Sequence, residues 1–168
     1  MENAPLSERD GLKAVERFFP ESFDRILLDP PCSALGLRPR LFLVQDTLEE
    51  IQKYATYQRW FVKEAVSLLK PGGILTYSTC TIHWLENEAM VAHILHTFPC
   101  MELLPLLLID TIGMPGLPGV GLTDEQRGYV RRFDPTDETS DTIGFFVAKF
   151  RKKANRRGDD NNDDGVTS

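Results

Sequence analysis

Two cysteines and one aspartate lie where this sequence could most readily do chemistry. Cys32 ends the segment Asp29-Pro30-Pro31-Cys32, which follows an apolar run, and Cys80 comes shortly after a second apolar run. In an open parallel sheet, ligands bind beyond the carboxyl ends of the strands. Neighbouring strands lie about 5 Å apart, so two adjacent strands would bring both thiols and the Asp29 carboxylate into one pocket.

The shared position of these two cysteines, each just beyond a predicted strand, argues that they are reactive. A single buried cysteine more often packs as a small hydrophobe, and an ordinary thiol, with a pKa of about 8.5, is mostly protonated at neutral pH. Both cysteines follow strand ends, however, and we predict that at least one is reactive. The prolines after Asp29 would fix its carboxylate either to accept a hydrogen bond from the amine of a heterocycle or to cap its own loop. The residues alone do not choose between Cys32 and Cys80 as nucleophile.

Metal and disulfide chemistry have little support in the sequence. Cys100 lies at the entrance to an apolar run and is predicted to fill the core. His83, His93 and His96 complete no recognisable ligand set, so we predict no metal site. The three cysteines form neither a disulfide framework nor a zinc-binding pattern, which predicts free thiols in a reducing compartment.

The elements that must position these groups follow from the apolar periodicity. Strands are predicted at 23–28, 74–77, 101–108 and 143–150, and helices at 12–19, 48–69 and 86–98. The first of these strands is typical of one buried on both faces. Thr47 and Glu50 form a capping box before the longest helix, which is one helix or two joined near 54–57. Strand, helix and strand together predict a parallel crossover. The segment 110–141 is interpreted as a long functional loop in which only 123–130 has a helix-like start.

Composition limits the class of protein. The 168 residues, 42% hydrophobic and 26% charged, suit one globular domain. The chain has neither the roughly 20 apolar residues of a membrane-spanning helix nor the start of a secretory signal. We therefore expect an intracellular protein without a membrane partner, in the cytoplasm or the nucleus. A net charge of -6 disfavours nucleic acid, yet basic groups cluster locally at Arg38 with Arg40, Arg131 with Arg132, and 151–157.

At these residues the sequence resembles the NOL/NOP/Sun (NSUN) family of S-adenosylmethionine-dependent RNA cytosine-5 methyltransferases. The matching segments are FDRILLDPPCSALG at 23–36, LKPGG at 69–73, YSTCT at 77–81 with ENE at 86–88, RFDP at 132–135 and GFFVAKF at 144–150. Each motif is weak alone, but their order and spacing are specific. The stretches 37–40 and 132–135 look most like the branch that methylates transfer RNA.

The resemblance implies a role for each candidate residue. Cys80 would be the nucleophile that attacks carbon 6 of cytosine, and Cys32 would assist release of the covalent RNA intermediate. Asp29 would contact the base and border the S-adenosylmethionine. The target base must leave its stack to reach such a pocket. The candidates for holding the RNA phosphates are Arg38, Arg40, Arg131 and Arg132.

The resemblance also implies that part of the cofactor site lies upstream of this chain. Family members bind S-adenosylmethionine through a glycine-rich turn and an acidic residue that precede the strand corresponding to 23–28. Only 22 residues precede Phe23 here, with one glycine, Gly11. We therefore expect an α/β fold, a Rossmann-like class I methyltransferase sheet that lacks its N-terminal strands, and weak or no binding of S-adenosylmethionine.

The domain organisation follows from the same match. We predict a short N-terminal segment at 1–22, the C-terminal portion of a methyltransferase catalytic domain at 23–150 and a charged, disordered tail at 151–168. The alternative is a non-catalytic product that binds RNA or pairs with another subunit through the sheet edge left open by the missing strands.

Overall fold

The computed structural model describes residues 18–39, 47–106 and 112–154. Its elements are β1 (Phe23–Leu28), α1 (Leu48–Leu68), β2 (Leu69–Thr79), α2 (Glu88–Thr97), β3 (Met101–Leu104), α3 (Asp124–Tyr129), β4 (Arg131–Phe133) and β5 (Phe145–Lys152). Each predicted strand, and each helix predicted at 48–69 and 86–98, corresponds to an observed element with the same or somewhat different bounds. Phe18 and Phe19, the described end of the helix predicted at 12–19, are not helical. Residues 12–17 of the predicted first helix, Arg40 and residues 155–168 of the predicted tail lie outside the described residues.

One mixed sheet organises the described residues. Its strand order is β1-β2-β5-β3, and β4 pairs with β5. β1 and β2 are parallel, which confirms the predicted pairing across the α1 crossover, whereas β5 runs antiparallel to β2, β3 and β4. The carboxyl ends of β1 and β2 therefore meet at the same edge of the sheet.

The α1 helix is a single helix that begins with the predicted capping box. Thr47 accepts a hydrogen bond from the backbone N–H of Glu50, and the Glu50 side chain accepts one from the backbone N–H of Thr47. The helix ends where Leu69 turns to an extended conformation, and β2 begins at that residue rather than at the predicted Ile74. The Pro71-Gly72 break lies within the strand, where Gly72 has a φ of 81°.

The core lies where α1 and α2 pack on β2 and β5. Its fully buried side chains include Val62, Tyr77, Ile94, Phe146 and Phe150. Cys100 packs against this cluster as predicted. β5 continues through Lys152, so its last two residues belong to the sheet and not to the predicted tail.

The prediction that β1 is buried on both faces is wrong. Leu27 is 75% exposed, because no described element packs on the face of the sheet to which it points, whereas Ile26 and Leu28 on the other face pack against the core. In the segment 110–141, α3 lies within the predicted helix-like start at 123–130, and β4 was not predicted. A second capping box, Thr123 with Gln126, starts α3. Within the described residues, no helix has the length and apolar character to cross a membrane.

Candidate active site

Two thiols meet at the carboxyl ends of β1 and β2. The Sγ atoms of Cys32 and Cys80 are 3.3 Å apart, and either can donate a hydrogen bond to the other. Both cysteines are free and half-buried. The prediction that the two loops face one another is confirmed, and it follows from the parallel pairing of the two strands.

Asp29 lies at the end of β1 beside this pair. Its side chain is exposed, and its Oδ1 accepts a hydrogen bond of 3.1 Å from the hydroxyl of Ser78 on β2. That bond ties the carboxylate to the strand that leads to Cys80. The remaining acceptor positions of the carboxylate are therefore available to a ligand.

The residues on both sides of Cys32 are held by buried side chains. Gln58, on the buried face of α1, donates from Nε2 to the carbonyl oxygen of Pro31 at 3.0 Å and to Oε2 of Glu86 at 2.8 Å. Ser33 donates to Glu86 twice, from its backbone N–H at 3.1 Å and from its hydroxyl at 2.5 Å. The position of the Cys32 thiol is thus fixed through its neighbours on either side.

Asn87 does the same for Cys80. Its side chain accepts a hydrogen bond of 2.6 Å from the Thr79 hydroxyl and donates one of 3.0 Å to the carbonyl oxygen of Thr81. Cys80 lies between these two threonines, so its loop is held on both sides. Glu86 and Asn87 are adjacent in the chain, and together they hold both cysteine loops.

Direct bonds also join the two loops. The hydroxyls of Ser33 and Thr81 are 2.8 Å apart, and the backbone N–H of Gly36 donates to the carbonyl oxygen of Cys80 at 3.0 Å. Gly36 in turn accepts from the N–H of Gly144 at 2.7 Å, and a Cβ on Gly36 would overlap the Gly144 carbonyl. Only glycine allows this approach of three segments.

The environment of Cys32 keeps its thiol protonated. Burial, with a smaller contribution from the nearby Cys80 thiol, raises the pKa of Cys32 to about 12, against the opposing effect of the Ala34 backbone N–H. The raised pKa favours the neutral thiol of Cys32 over its thiolate at neutral pH.

The predicted phosphate-binding arginines have unequal surroundings. Arg131 and Arg132 are buried, and Arg132 donates from Nη1 to both carboxylate oxygens of Glu88 at 2.8 Å. Burial therefore argues against phosphate contacts by these two side chains, which act instead inside the fold. Arg38 is partly exposed and binds the Asp141 carboxylate and the Pro135 carbonyl oxygen. Arg40 lies outside the described residues.

Sequence reasoning missed the residues that position the thiols. In the sequence, Glu86 and Asn87 stand out through the motif at 86–88 and as the start of the helix predicted at 86–98, and Gln58 is assigned no role. One signal was present: Gln58 interrupts the apolar stripe of α1 between Ala55 and Val62, and a polar residue in a buried stripe requires partners. Among the described residues, no group of three or more His, Cys, Asp or Glu side chains could hold a metal ion.

Comparison with known proteins places this chain in a family. The family model described as 16S rRNA methyltransferase RsmB/F matches residues 1–151. The tRNA (cytosine(72)-C(5))-methyltransferase NSUN6 of Mus musculus is 45% identical over 169 aligned residues, which cover 88% of this chain and 35% of that protein. The rRNA (cytosine-C(5))-methyltransferase NOP2C of Arabidopsis thaliana is 48% identical over 145 residues, covering 79% of this chain and 23% of that protein.

Solved structures agree with the sequence relatives. The crystal structure of NSun6 from Pyrococcus horikoshii with SFG matches with a TM-score of 0.61 and 39% sequence identity, over 86% of this chain and 32% of that one. The chain thus spans about a third or less of the length of each of these relatives. The resemblance that the motifs indicated is confirmed by the sequence and by the fold. The chain belongs to the 16S rRNA methyltransferase RsmB/F family.

Proposed function

We propose that this chain supplies the catalytic cysteines of an enzyme that methylates carbon 5 of a cytosine in RNA, with transfer RNA as the substrate. The observation that carries the proposal is the 3.3 Å approach of two thiols at the ends of parallel strands. Two relatives are named as tRNA or rRNA cytosine-C5 methyltransferases, which supports the reaction. The likeness of 37–40 and 132–135 to the tRNA branch supports the finer choice of substrate.

The proposed nucleophile is Cys80. Its sulfur would bond to carbon 6 of the cytosine, so that carbon 5 becomes electron-rich enough to take a methyl group. Asp29 is exposed at the same strand ends, and its carboxylate would accept a hydrogen bond from the exocyclic amine of the base. The sulfur of Cys80 must then leave carbon 6 while carbon 5 loses its proton to water, so that the double bond of the ring re-forms and the methylated RNA can dissociate.

Cys32 would serve that release. Its raised pKa keeps a proton on its sulfur at neutral pH, and its Sγ lies within hydrogen-bond distance of Cys80 Sγ. That proton is therefore adjacent to the sulfur that departs. A carboxylate or a distant thiol would not combine this proximity with this retained proton.

S-adenosylmethionine would supply the methyl group when bound. The residues present fit one side of it: Asp29 is exposed beside the thiols, and its carboxylate would border the donor. The glycine-rich turn that the family uses does not occur among residues 18–39, 47–106 and 112–154. We expect isothermal titration of this chain with S-adenosylmethionine to show no low-micromolar binding, and such binding would contradict the expectation.

The decisive experiment is transfer of a labelled methyl group to bulk transfer RNA by an upstream-extended form of the chain, with the present chain assayed beside it. Cys80→Ala should lower transfer by at least about 10⁴-fold, since it removes the nucleophile. Cys32→Ala should instead trap RNA as a covalent adduct on Cys80 that survives denaturing electrophoresis. Cys100→Ala is the matched control, because Cys100 packs in the core away from the pair. Normal turnover by Cys80→Ala would refute the assignment.

A second proposal concerns the open edge of the sheet. Leu27 and the unpaired side of β1 are exposed, and an unpaired edge strand can pair with another chain. Association through β1 would be compatible with the catalytic proposal, because the thiols lie at the strand ends and not along the edge.

A further inference from the structure

The Glu86 carboxylate is fully buried and bonded to groups beside Cys32, although Glu86 belongs to the loop that carries Cys80. We propose that Glu86 is a positioning residue that holds the Cys32 thiol against the Cys80 thiol. The expected effect of Glu86 on methyl transfer rests on the proposed function. Its expected effect on the distance between the two sulfurs does not.

The contacts on the Cys32 side are direct. The backbone N–H and the hydroxyl of Ser33 reach the two oxygens of the Glu86 carboxylate separately, at 3.1 and 2.5 Å. On the other side of Cys32, the Pro31 carbonyl accepts from Gln58, whose same nitrogen donates to Glu86. Both peptide neighbours of Cys32 are therefore linked to one carboxylate, either directly or through one amide.

The contacts on the Cys80 side fix the backbone of Glu86. The Tyr77 hydroxyl donates to the backbone carbonyl of Glu86 at 2.7 Å, and the Glu86 N–H donates to the carbonyl of His83 at 3.2 Å. Tyr77 is fully buried in the core. Glu86 is thus anchored to β2 at one end and to the Cys32 loop at the other, and it sets the spacing between them.

The Cys32 loop needs such an anchor. Ala34 has a φ of 53°, in the left-handed region that non-glycine residues seldom occupy. A residue in this conformation persists when the surrounding contacts hold it there. Ser33, the residue before Ala34, makes its two bonds to Glu86, so the carboxylate stabilises the conformation that turns Cys32 toward Cys80.

A carboxylate suits this position because three hydrogen atoms point at it. Among the described residues, its donors are neutral: the N–H and O–H of Ser33 and the amide of Gln58. Alanine at position 86 would remove the acceptor of the buried Ser33 N–H and of one amide hydrogen of Gln58, and would leave the Ser33 hydroxyl only its contact with Thr81. Glutamine could satisfy all three if its amide nitrogen donated to the Ser33 hydroxyl, which would then donate to Thr81. At position 86, the placement of the hydrogen-bonding atoms therefore matters more than the negative charge of the carboxylate.

The test measures how readily one reagent bridges the two thiols of this chain. Phenylarsine oxide condenses with two thiols, forming two arsenic–sulfur bonds and one water, so its reaction reports whether the sulfurs are adjacent. We expect Glu86→Ala to lower bridging of Cys32 and Cys80 by about tenfold or more, and Glu86→Gln to retain it within about twofold. Val62→Ala is the control, because Val62 lies on the same buried face of α1 as Gln58 and its truncation removes none of the hydrogen bonds to the Glu86 carboxylate.

A folding control keeps the proposal falsifiable. If Glu86→Ala gives no cooperative melt, Gln58→Met is tested instead. Methionine has about the volume of glutamine but lacks the two N–H groups that donate to Pro31 and Glu86. We expect Gln58→Met to lower the bridging of Cys32 and Cys80 by less than Glu86→Ala would. Bridging at the wild-type rate in the folded Glu86→Ala or Gln58→Met protein would overturn the proposal. An equal loss of bridging in Val62→Ala would also overturn the proposal, since the loss would then come from a general destabilisation of the fold.

Methyl transfer by the upstream-extended form separates this inference from the proposed function. Glu86→Ala should lower kcat by about 10- to 100-fold with little change in the KM for RNA, and Glu86→Gln should restore most of kcat. If the wild-type protein transfers no methyl group while Glu86→Ala still loses bridging, the proposed function fails and the positioning role of Glu86 stands.

Discussion

Two parts of the sheet differ in how their side chains are packed. At the carboxyl ends of β1 and β2 and along β4, which together form the braced flank, polar groups are buried and paired: Glu86 with Ser33 and Gln58, and Arg132 with Glu88. On the outer side of β1, the open flank, apolar groups are exposed, with Leu27 at 75% and Phe19 at 81%. The difference teaches that the thiol site is held by buried polar contacts of its own loops and of α1, whereas the outer side of β1 has no such contacts.

The β1 flank also contains a surface hollow. It has a volume of about 360 Å³, and its apolar lining includes Phe18, Phe23, Ile26, Phe61 and Leu68. Exposed apolar surface of this kind marks a place where another structural element packs. Substitutions on the braced flank should therefore cost more stability than substitutions on the open flank.

The largest loss of stability should follow from breaking the ion pair of Arg132 with Glu88. Arg132→Met leaves a fully buried carboxylate without its cation, and the free energy of unfolding should fall by about 3–5 kcal/mol in a urea melt. The double variant Arg132→Met with Glu88→Gln should recover more than half of that loss, because the new amide is neutral and its oxygen can still accept from the Leu117 N–H. A change below about 1 kcal/mol in the single variant would show that the pair is not buried in solution.

A smaller change in the free energy of unfolding should come from deprotonation of the Cys32 thiol at high pH. Its pKa is raised from 9.0 to about 12 in the folded chain, so the protonated thiol is favoured by folding. The stability that this group contributes is complete below pH 9 and is lost as the pH rises toward 12. Site-resolved alkylation should show the same shift: the Cys32 rate in the folded chain should keep rising about tenfold per pH unit above pH 9.

The unfolded chain is the control for this titration. In urea the Cys32 rate should level off above its ordinary pKa, because burial no longer favours the thiol. A folded-state profile that levels off near pH 9 would contradict the raised pKa, and Cys32 would then be no better a proton donor than any free thiol.

Local pattern explains what the sequence could predict. Capping by Thr47 and apolar spacing defined α1, and the apolar runs located β1, β2 and β5. Because parallel strands end at one edge, the meeting of Cys32 and Cys80 followed from pairing alone. Those inferences needed only the order of elements along the chain.

The remaining features depend on partners distant in sequence. An arginine pair suggested a phosphate site, but the position of Arg132 is decided by Glu88, which lies 44 residues away. The apolar residues of β1 predicted burial on both faces. The exposure of Leu27 is decided instead by what packs on its face of the sheet. Gln58 gave a detectable signal, yet nothing local indicated that its amide would reach Glu86 and Pro31.

The smallest effect on stability should come from Leu27→Lys on the open edge. Leu27 is 75% exposed, so the substitution should change the free energy of unfolding by no more than about 0.5 kcal/mol. A lysine on an edge strand opposes pairing with a second chain, and concentration-dependent association in sedimentation should therefore decrease. Ile26→Lys is the matched comparison, because Ile26 packs against the core and its replacement should destabilise the fold clearly more. If Leu27→Lys destabilised the chain as much as Ile26→Lys, Leu27 would be covered in solution, and the contrast between the two flanks would fail at the most exposed large apolar residue of the described strands.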